Sequence, residues 1–284
     1  MGLGGYLTWT AVAREIFEKT KIKSFPIESI NGGLIKIIKS EIFANNPYLI
    51  QDISESDFAF PLILNNPKTN YCKQDTPEKA IHRYDKHIVE QICEFYGIVP
   101  SSIKPEIYFS EKENQKIDFI LNRYQLEKGK FLVIEPQSNN EYTANKKYPL
   151  EKWQHVVENI SKLGMKIVQV GKKTSDQNLK NVINLTGLTT FREASLIISH
   201  CKLFISSEGG LMHSARAVET PSVIVYTGFI HPVMTGYPEN KNIWIGKNHG
   251  PCGMKIKCDN CEKEVKNHDP QEIVSTIVGF LEEL

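Results

Sequence analysis

The second half of the chain alternates short apolar runs with amphipathic stretches, and this alternation constrains the fold more than any other feature of the sequence. The apolar runs at 131–134, 166–170, 203–205 and 223–226 each have the length of a buried strand. Amphipathic stretches with helical spacing lie between them. Strands that alternate with helices in this way predict a parallel sheet covered by helices. The sequence therefore predicts an α/β lobe over residues 129–284.

The first half of the chain is less regular but is long enough for a lobe of its own. Helices are predicted at 10–19 and 84–96, and residues 118–124 are expected to continue into the linker before the second lobe. A chain of 284 residues exceeds the size of one small core and suits two α/β lobes. We place the boundary near Gly129, which leaves 1–128 for the N-terminal lobe.

Two local signals predict where helices of the second lobe begin. Pro149 suits the start of a helix, because proline lacks an N–H that the first turn would leave unpaired anyway. Thr190 and Glu193 have the spacing of a capping box, in which each side chain bonds the other residue's backbone N–H.

Charge and hydropathy exclude several classes of function. The 34 Lys and Arg residues nearly balance the 33 Asp and Glu residues, so no overall field favours nucleic acid or anionic lipid. No apolar run approaches the roughly 18 residues that span a bilayer, and the opening residues lack the pattern of a secretion signal. We therefore expect a cytoplasmic protein, and leave open a peripheral contact at the cytoplasmic face of the inner membrane.

The strongest local signal is the junction of a predicted strand and helix within 203–213. Gly209 and Gly210 follow the strand's carboxyl end, where open α/β sheets bind ligands. Paired glycines let the backbone approach a phosphate, and the first N–H groups of the helix attract an anion. His213 and Arg216 follow on the helix, although a purely structural turn and a packed histidine remain open alternatives.

Lysines and cysteines supply two further candidate sites. Lys146 lies in a polar loop at another strand's carboxyl end, where its ammonium could neutralise a phosphate. Cys258 and Cys261 have the spacing of a thiolate pair, with Cys252 as a third metal ligand. His249 or His268 would be the fourth, but structural zinc sites more often use two such pairs, so the prediction favours no metal.

Together these residues resemble glycosyltransferase family 9, the ADP-heptose:lipopolysaccharide heptosyltransferases. The resemblance covers roughly 131–245 and rests on the order and spacing of Ile134-Glu135-Pro136, Lys146-Lys147-Tyr148-Pro149, Trp153, Leu185-Thr186-Gly187, Glu208-Gly209-Gly210-Leu211-Met212-His213 and Pro221. It implies the GT-B fold, an α/β architecture of two Rossmann-like lobes with parallel sheets that face each other across a cleft. It also implies a donor nucleotide bound mainly by the second lobe and no obligatory metal.

The resemblance assigns roles to the donor-side residues. It implies that Lys146 contacts the donor diphosphate. It also implies that the phosphate and sugar pocket is lined by Glu208, Gly209, Gly210, Leu211 and His213. The chain departs from the family at two points, because Glu208-Gly209-Gly210 stands where Asp-Thr-Gly is usual and Tyr148 where Trp is usual.

In the first lobe, Gly2, Gly4 and Gly5 resemble the family's opening glycine loop, although the strand expected before the loop is apparently missing. Gly5 stands at the place of the family's usual catalytic aspartate. Glycine cannot take the proton from an acceptor hydroxyl. The catalytic base therefore stays unknown, with four alternative groups: Glu208, Asp85, His82 and His87.

The predicted function is transfer of a sugar such as heptose from a nucleoside diphosphate donor to a glycan, glycolipid or protein acceptor. The reaction is expected to invert the anomeric centre and to require no cofactor, with an ADP-linked donor favoured. One alternative is a catalytically degenerate protein that binds nucleotide sugars. Others are another GT-B enzyme, such as a nucleotide-sugar epimerase, and a metal-organised interaction module. No nucleic acid partner is expected.

Overall fold

The computed structural model describes residues 2–30, 34–50, 52, 58–66, 72–76, 79–82, 84–136, 142–173 and 178–284. The strands form a six-stranded sheet in the second half, and a three-stranded sheet with a separate two-stranded pair in the first half. Gly129 lies between the two halves, and a domain boundary at this residue stays a prediction. None of the helices in these ranges is both long and apolar enough to cross a membrane.

The first half begins with a long helix. Its elements are α1 (Leu3–Thr20), β1 (Ser24–Ser29), β2 (Ile35–Ile37), β3 (Phe60–Ile63), β4 (Cys72–Thr76), β5 (Lys79–His82), α2 (Ile88–Phe95) and α3 (Glu111–Arg123). In the three-stranded sheet β1 pairs in parallel with β3 and antiparallel with β2, while β4 and β5 pair antiparallel. The sheet described in this half is therefore mixed.

The second half holds an all-parallel sheet. Its elements are β6 (Phe131–Glu135), α4 (Leu150–Ile160), β7 (Lys166–Gln169), β8 (Ile183–Asn184), α5 (Phe191–His200), β9 (Leu203–Ser207), α6 (Gly210–Ala217), β10 (Ser222–Tyr226), α7 (Pro232–Thr235), β11 (Lys241–Trp244), α8 (Asp259–Asn267) and α9 (Gln271–Glu283). The strand order is β11-β10-β9-β6-β7-β8. Every residue of β6, β9 and β10 is buried, as in a sheet covered on both faces.

The predicted helix starts in this half are confirmed. Pro149 caps α4, which buries Trp153 and Ile160 against the sheet. At α5, Thr190 N donates to Glu193 Oε2 over 2.8 Å and Glu193 N donates to Thr190 Oγ1 over 3.2 Å. These reciprocal bonds satisfy two N–H groups that a helix start leaves without partners.

Helix boundaries in the first half differ from the prediction. α1 begins at Leu3, so Gly4 and Gly5 lie in its first turn and not in a loop before a helix. The helix predicted at 84–96 begins at Ile88, and a further helix runs from Glu111 to Arg123. Packing explains α1, because ten of its residues are buried between α2, α6 and the first-half sheet. Such burial outweighs the low helix propensity of glycine.

Arg192 ties the two halves together. It projects from α5, and its Nε lies 2.6 Å from Glu113 Oε1 on α3. The same guanidinium donates to the backbone carbonyls of Glu41 and Tyr108. A buried guanidinium with three partners from the first half fixes how α5 sits against that half.

Candidate functional site

The candidate site lies at the carboxyl ends of β6 and β9. The chain leaves β6 for β7 and β8 on one side, then returns to place β9 on the other side of β6. A crevice for ligands forms where the strand order reverses in this way. β6 ends at Glu135 and β9 at Ser207, so Glu135 and Glu208 both enter this crevice.

An ion pair joins two of the residues assigned by the sequence. Lys146 Nζ lies 2.6 Å from Glu208 Oε2, and the two side chains are 20% and 8% exposed. The ammonium also lies 5.3 Å from the centre of the Phe229 ring. The lysine is therefore partly withdrawn from water and already neutralised by a carboxylate.

Glu135 is a second carboxyl group of the crevice. Burial, and then the charge of Glu208, raise the pKa of Glu135 to about 8, and its Oε2 has no hydrogen-bond partner among the described residues. Gly171 lies beside this side chain, and a Cβ there would be in ordinary van der Waals contact with Glu135, 3.6 Å from its Cγ. Near neutral pH a protonated Glu135 leaves Lys146 and Glu208 as the charged pair of the site.

The N-termini of α1 and α6 meet at the edge of the crevice. A methyl group on Gly4 would lie 2.8 Å from Gly210 Cα and 3.1 Å from His213 Cδ2. The N-cap residues of the two helices are Gly2 and Gly209, and neither carries a side chain that could cap the helix. Their first N–H groups are left for other partners, and each helix start carries a partial positive charge.

His213 is packed in the interior, where it cannot act as a cation. Its Nδ1 lies 2.7 Å from the Tyr237 hydroxyl. Burial, and then the charge of Lys146, lower the pKa of His213 to about 3. Any ligand in the crevice would therefore meet a neutral imidazole at this position.

Arg216 lies one turn further along α6. Its guanidinium forms an ion pair with Glu239. It therefore takes the surface role of an ordinary salt-bridge partner.

The structure places the alternative catalytic bases apart. His87 caps α2 by accepting a bond from Val89 N over 3.2 Å, and burial lowers its pKa to about 3. Asp85 lies 3.9 Å from Lys86 Nζ at the surface. The side chain of His82 lies outside the described residues. Of the three alternatives whose side chains the structure describes, Glu208 is the one at the end of β9 in the crevice.

The three predicted thiols form a cluster. The Sγ atoms of Cys252, Cys258 and Cys261 all lie within 4.8 Å of one another. A hydrogen bond from Cys261 contributes most to lowering the pKa of Cys252 to about 6. Gly228 gives the cluster its space, because a Cβ there would collide with the Cys261 sulphur. Thiols so arranged, one with a lowered pKa, fit three positions of a tetrahedral site for a soft metal ion.

The predicted fourth ligands are not brought to the cluster. His268 Nδ1 lies 2.9 Å from the Tyr148 hydroxyl, and its Nε2 lies 3.1 Å from Glu272. His249 lines a separate cavity of about 380 Å³ between β11 and α8, together with Trp244. Within the described part of the chain, the ligand group at this cluster consists of the three cysteines.

Sequence reasoning missed the roles of Glu135 and Asn145. A glutamate that ends an otherwise apolar strand was the signal available for Glu135. Asn145 precedes Lys146, and its side chain bonds to the backbone near Cys258. No local pattern identifies this contact, because the two residues are far apart in the sequence.

The model of glycosyltransferase family 9 (heptosyltransferase) matches residues 58–266, well over half of the chain. No curated protein sequence matches. Among solved structures, a glycosyl transferase family 9 protein from Veillonella parvula has 15% sequence identity and a TM-score of 0.68. The match covers 100% of this chain and 95% of that one.

Two structures from E. coli are also similar. Heptosyltransferase WaaC, solved with ADP, has 12% identity and a TM-score of 0.59, over 98% of this chain and 97% of its own. The iron-containing dodecameric glycosyltransferase TibC has 15% identity and a TM-score of 0.68, over 100% of this chain and 74% of its own. At these identities the likenesses show the fold alone. With the six-stranded parallel sheet, they confirm the predicted α/β GT-B fold.

Proposed function

This chain belongs to glycosyltransferase family 9, and on that premise we propose that it transfers a sugar from a nucleoside diphosphate donor to a glycan, glycolipid or protein acceptor. An ADP-linked donor carrying heptose is the favoured one. WaaC has been solved with ADP, and TibC with ADP-D-β-D-heptose. The transfer itself would invert the anomeric centre and proceed without a metal ion.

The proposal rests on the position of Lys146, which lies where the strand order of the sheet reverses, close to the start of α6. An ammonium and free helix N–H groups together suit a diphosphate. As the bond to the sugar breaks, negative charge grows on the leaving diphosphate. Lys146 and the N–H groups at Gly209, Gly210 and Leu211 would stabilise that charge.

Binding the donor requires an exchange of partners at Lys146. Its ammonium is 2.6 Å from Glu208, so a diphosphate has to take over from this carboxylate. Glu208 is then released to bond the hydroxyl groups of the donor sugar, the position that the family resemblance gives it. His213 would form a neutral part of the pocket wall, since burial keeps its imidazole uncharged.

The acceptor is expected against the first half, near the start of α1. An inverting transfer needs a base for the acceptor's proton. Gly5 offers no such group at the family's usual position, and Glu208 is a carboxylate placed in the crevice. We leave the base unassigned.

Calorimetric titration with ADP, GDP and UDP tests the proposal. Lys146→Met removes the charge and keeps the apolar part of the side chain against Phe229. Lys147→Met is the matched control, because Lys147 is the next residue and is exposed. We expect ADP to bind best, Lys146→Met to weaken it at least tenfold, and Lys147→Met to leave it unchanged. Failure of a folded sample to bind any of the three nucleotides would refute the proposal.

A second candidate function is donor binding without transfer, and the lack of a side-chain carboxylate at Gly5 favours it. The two candidates differ in turnover. A transferase releases ADP from ADP-heptose only when a suitable acceptor is present. A binding protein retains the intact donor, and an epimerase would alter it with no acceptor. Chromatography of the donor after incubation with and without acceptor glycans distinguishes the transferase, the binding protein and the epimerase.

The thiol cluster extends the proposal to a structural metal ion. Cys252, Cys258 and Cys261 would hold a zinc or iron ion that fixes the surrounding backbone, and TibC is described as iron-containing. The ion would take no part in the bond-breaking and bond-forming steps of the proposed transfer. Elemental analysis should find one ion per chain in the native protein and much less in Cys258→Ser. An equal metal content in both proteins would refute this assignment.

A further inference from the structure

Asn145 links the loop of Lys146 to the segment between two of the cysteines. It is buried, and its Nδ2 donates to the carbonyls of Met254 over 2.8 Å and Ile256 over 2.7 Å. Its Oδ1 accepts a bond from Cys258 N over 2.9 Å. Both ends of the amide are therefore used, which fixes the side chain relative to that segment.

Neighbouring bonds strengthen the same connection. Thr143 Oγ1 donates to the Met254 carbonyl over 2.8 Å and also accepts a bond from Asn145 N. Thr227, just after β10, donates to the Asn145 carbonyl. The short 3-10 turn of Ala144–Lys146 is thus held between the sheet and the cysteine segment.

The backbone atoms that Asn145 binds belong to a segment with little regular structure of its own. Residues 252–258 contain one isolated bridge residue and otherwise turns and coil. Cys252 and Cys258 stand at the two ends of this segment, and Met254 N lies 3.4 Å from Cys252 Sγ. An ion held by both thiols and by Cys261 would fix the ends of the segment, and with them the carbonyls that orient Asn145.

We propose that Asn145 is a positioning residue that couples the three-thiol cluster to Lys146, so that filling the cluster with a soft metal ion tightens the binding of a nucleoside diphosphate. This inference rests on the proposed contact between Lys146 and the donor diphosphate. Coupling between two binding sites is reciprocal. The nucleotide must therefore raise the affinity of the cluster for the metal by the same factor.

The test measures ADP affinity and metal retention separately. Native protein is loaded with Zn²⁺, and half of the sample is stripped by a chelator under reducing conditions. Calorimetry then gives the dissociation constant of ADP for each form. Equilibrium competition with a chromogenic chelator gives the Zn²⁺ affinity with and without ADP. We expect stripping to weaken ADP binding by about fivefold or more, the lower end of typical coupling, and ADP to raise the Zn²⁺ affinity by the same factor.

Asn145→Ala is expected to hold one Zn²⁺ ion and to bind ADP weakly and equally with or without it. Asn145→Asp keeps the oxygen that accepts from Cys258 N and loses the two donated bonds, so it serves if the alanine variant does not fold. Asn248→Ala makes the same change at an exposed residue and should behave like the native protein.

Three results would overturn the coupling. The first is a native protein that holds no stoichiometric metal. The second is an ADP affinity that stripping leaves unchanged. The third is an effect of stripping that is as large in Asn145→Ala as in the native protein. A metal-loaded, folded native protein that binds no ADP is a different outcome, because it removes the proposed donor site itself and the coupling with it.

Discussion

Replacing Gly4 by alanine would test the contact between the starts of α1 and α6. The added methyl group would lie 2.8 Å from Gly210 Cα, well inside the roughly 3.5–4.0 Å at which carbon atoms pack. The obstructing atom belongs to the backbone, so no side-chain rotation relieves the clash. One helix has to move by roughly 0.7 Å or more. Overpacking of this kind costs about 1–3 kcal/mol.

Gly279→Ala in α9 is the matched control, because a Cβ there would meet no atom within 4 Å. It should gain up to about 1 kcal/mol from the helix preference of alanine. The same preference offsets up to about 1 kcal/mol of the cost at Gly4, which leaves an expected loss of up to about 2 kcal/mol when the offset is full. That loss should lower the melting temperature by up to about 8 °C, since 1 kcal/mol is worth about 2–4 °C in chains of this size.

Circular dichroism would measure the melting temperatures, and calorimetry would measure ADP binding. Displacement of α6 by the new methyl group should weaken ADP binding in Gly4→Ala, whereas Gly279→Ala should bind ADP like the native protein. Similar gains in stability for the two variants would show that the starts of α1 and α6 do not touch as described. The reasoning would then be refuted.

Three further predictions concern charged and titrating groups. Folding raises the pKa of Glu135, so the native protein loses stability as pH rises from about 4.5 to 8, by at most about 1.4 kcal/mol per pH unit. In urea unfolding, Glu135→Gln should therefore gain stability relative to the native protein between pH 6 and 8.5. A stability difference that stays constant over this range would contradict the prediction. Folding lowers the pKa of His87 and His213, so their contribution to stability is complete above about pH 6.5 and is lost as pH falls towards 3. His213→Asn should therefore gain stability relative to the native protein as pH falls from 7 to 5. Stability profiles that run parallel over this pH range would count against the prediction. Arg192→Met leaves the Glu113 carboxylate without its guanidinium and should cost about 2–4 kcal/mol in unfolding free energy. Adding Glu113→Gln to this variant should recover part of that loss. A double variant no more stable than Arg192→Met would argue against the ion pair.

Features that depend on a few neighbouring residues could be predicted from the sequence. The capping box of Thr190 and Glu193 needs only a spacing of three residues, and the helix after Pro149 needs only a fixed backbone angle. The strands of the second half are short apolar runs that stay buried because helices cover both faces of the sheet. The GT-B fold was implied by the resemblance to glycosyltransferase family 9, which rests on local motifs in a fixed order.

Features that depend on distant contacts could not be predicted. α1 starts at Leu3 because its first turn packs on α6, which lies about 200 residues later in the chain. The mixed sheet of the first half requires β2 to pair antiparallel with β1, and no period in the sequence indicates this. In the site, the burial that raises the pKa of Glu135 and the bonds that orient Asn145 both come from segments far away in the sequence.

The charges of the crevice bear on which ligands it can select. Lys146 is neutralised by Glu208, so a ligand with a single negative charge would exchange one anionic partner of the lysine for another and gain little. A diphosphate carries more charge and spans a greater length, so it can hold Lys146 and reach the free N–H groups at the start of α6 at the same time. The charge of Glu208 acts on Glu135, whose raised pKa keeps it protonated, so Glu135 can offer a hydrogen bond to the released carboxylate. Within the proposed function, the ion pair therefore favours a diphosphate over smaller anions. The protonated Glu135 limits the free-energy cost of releasing Glu208 from Lys146.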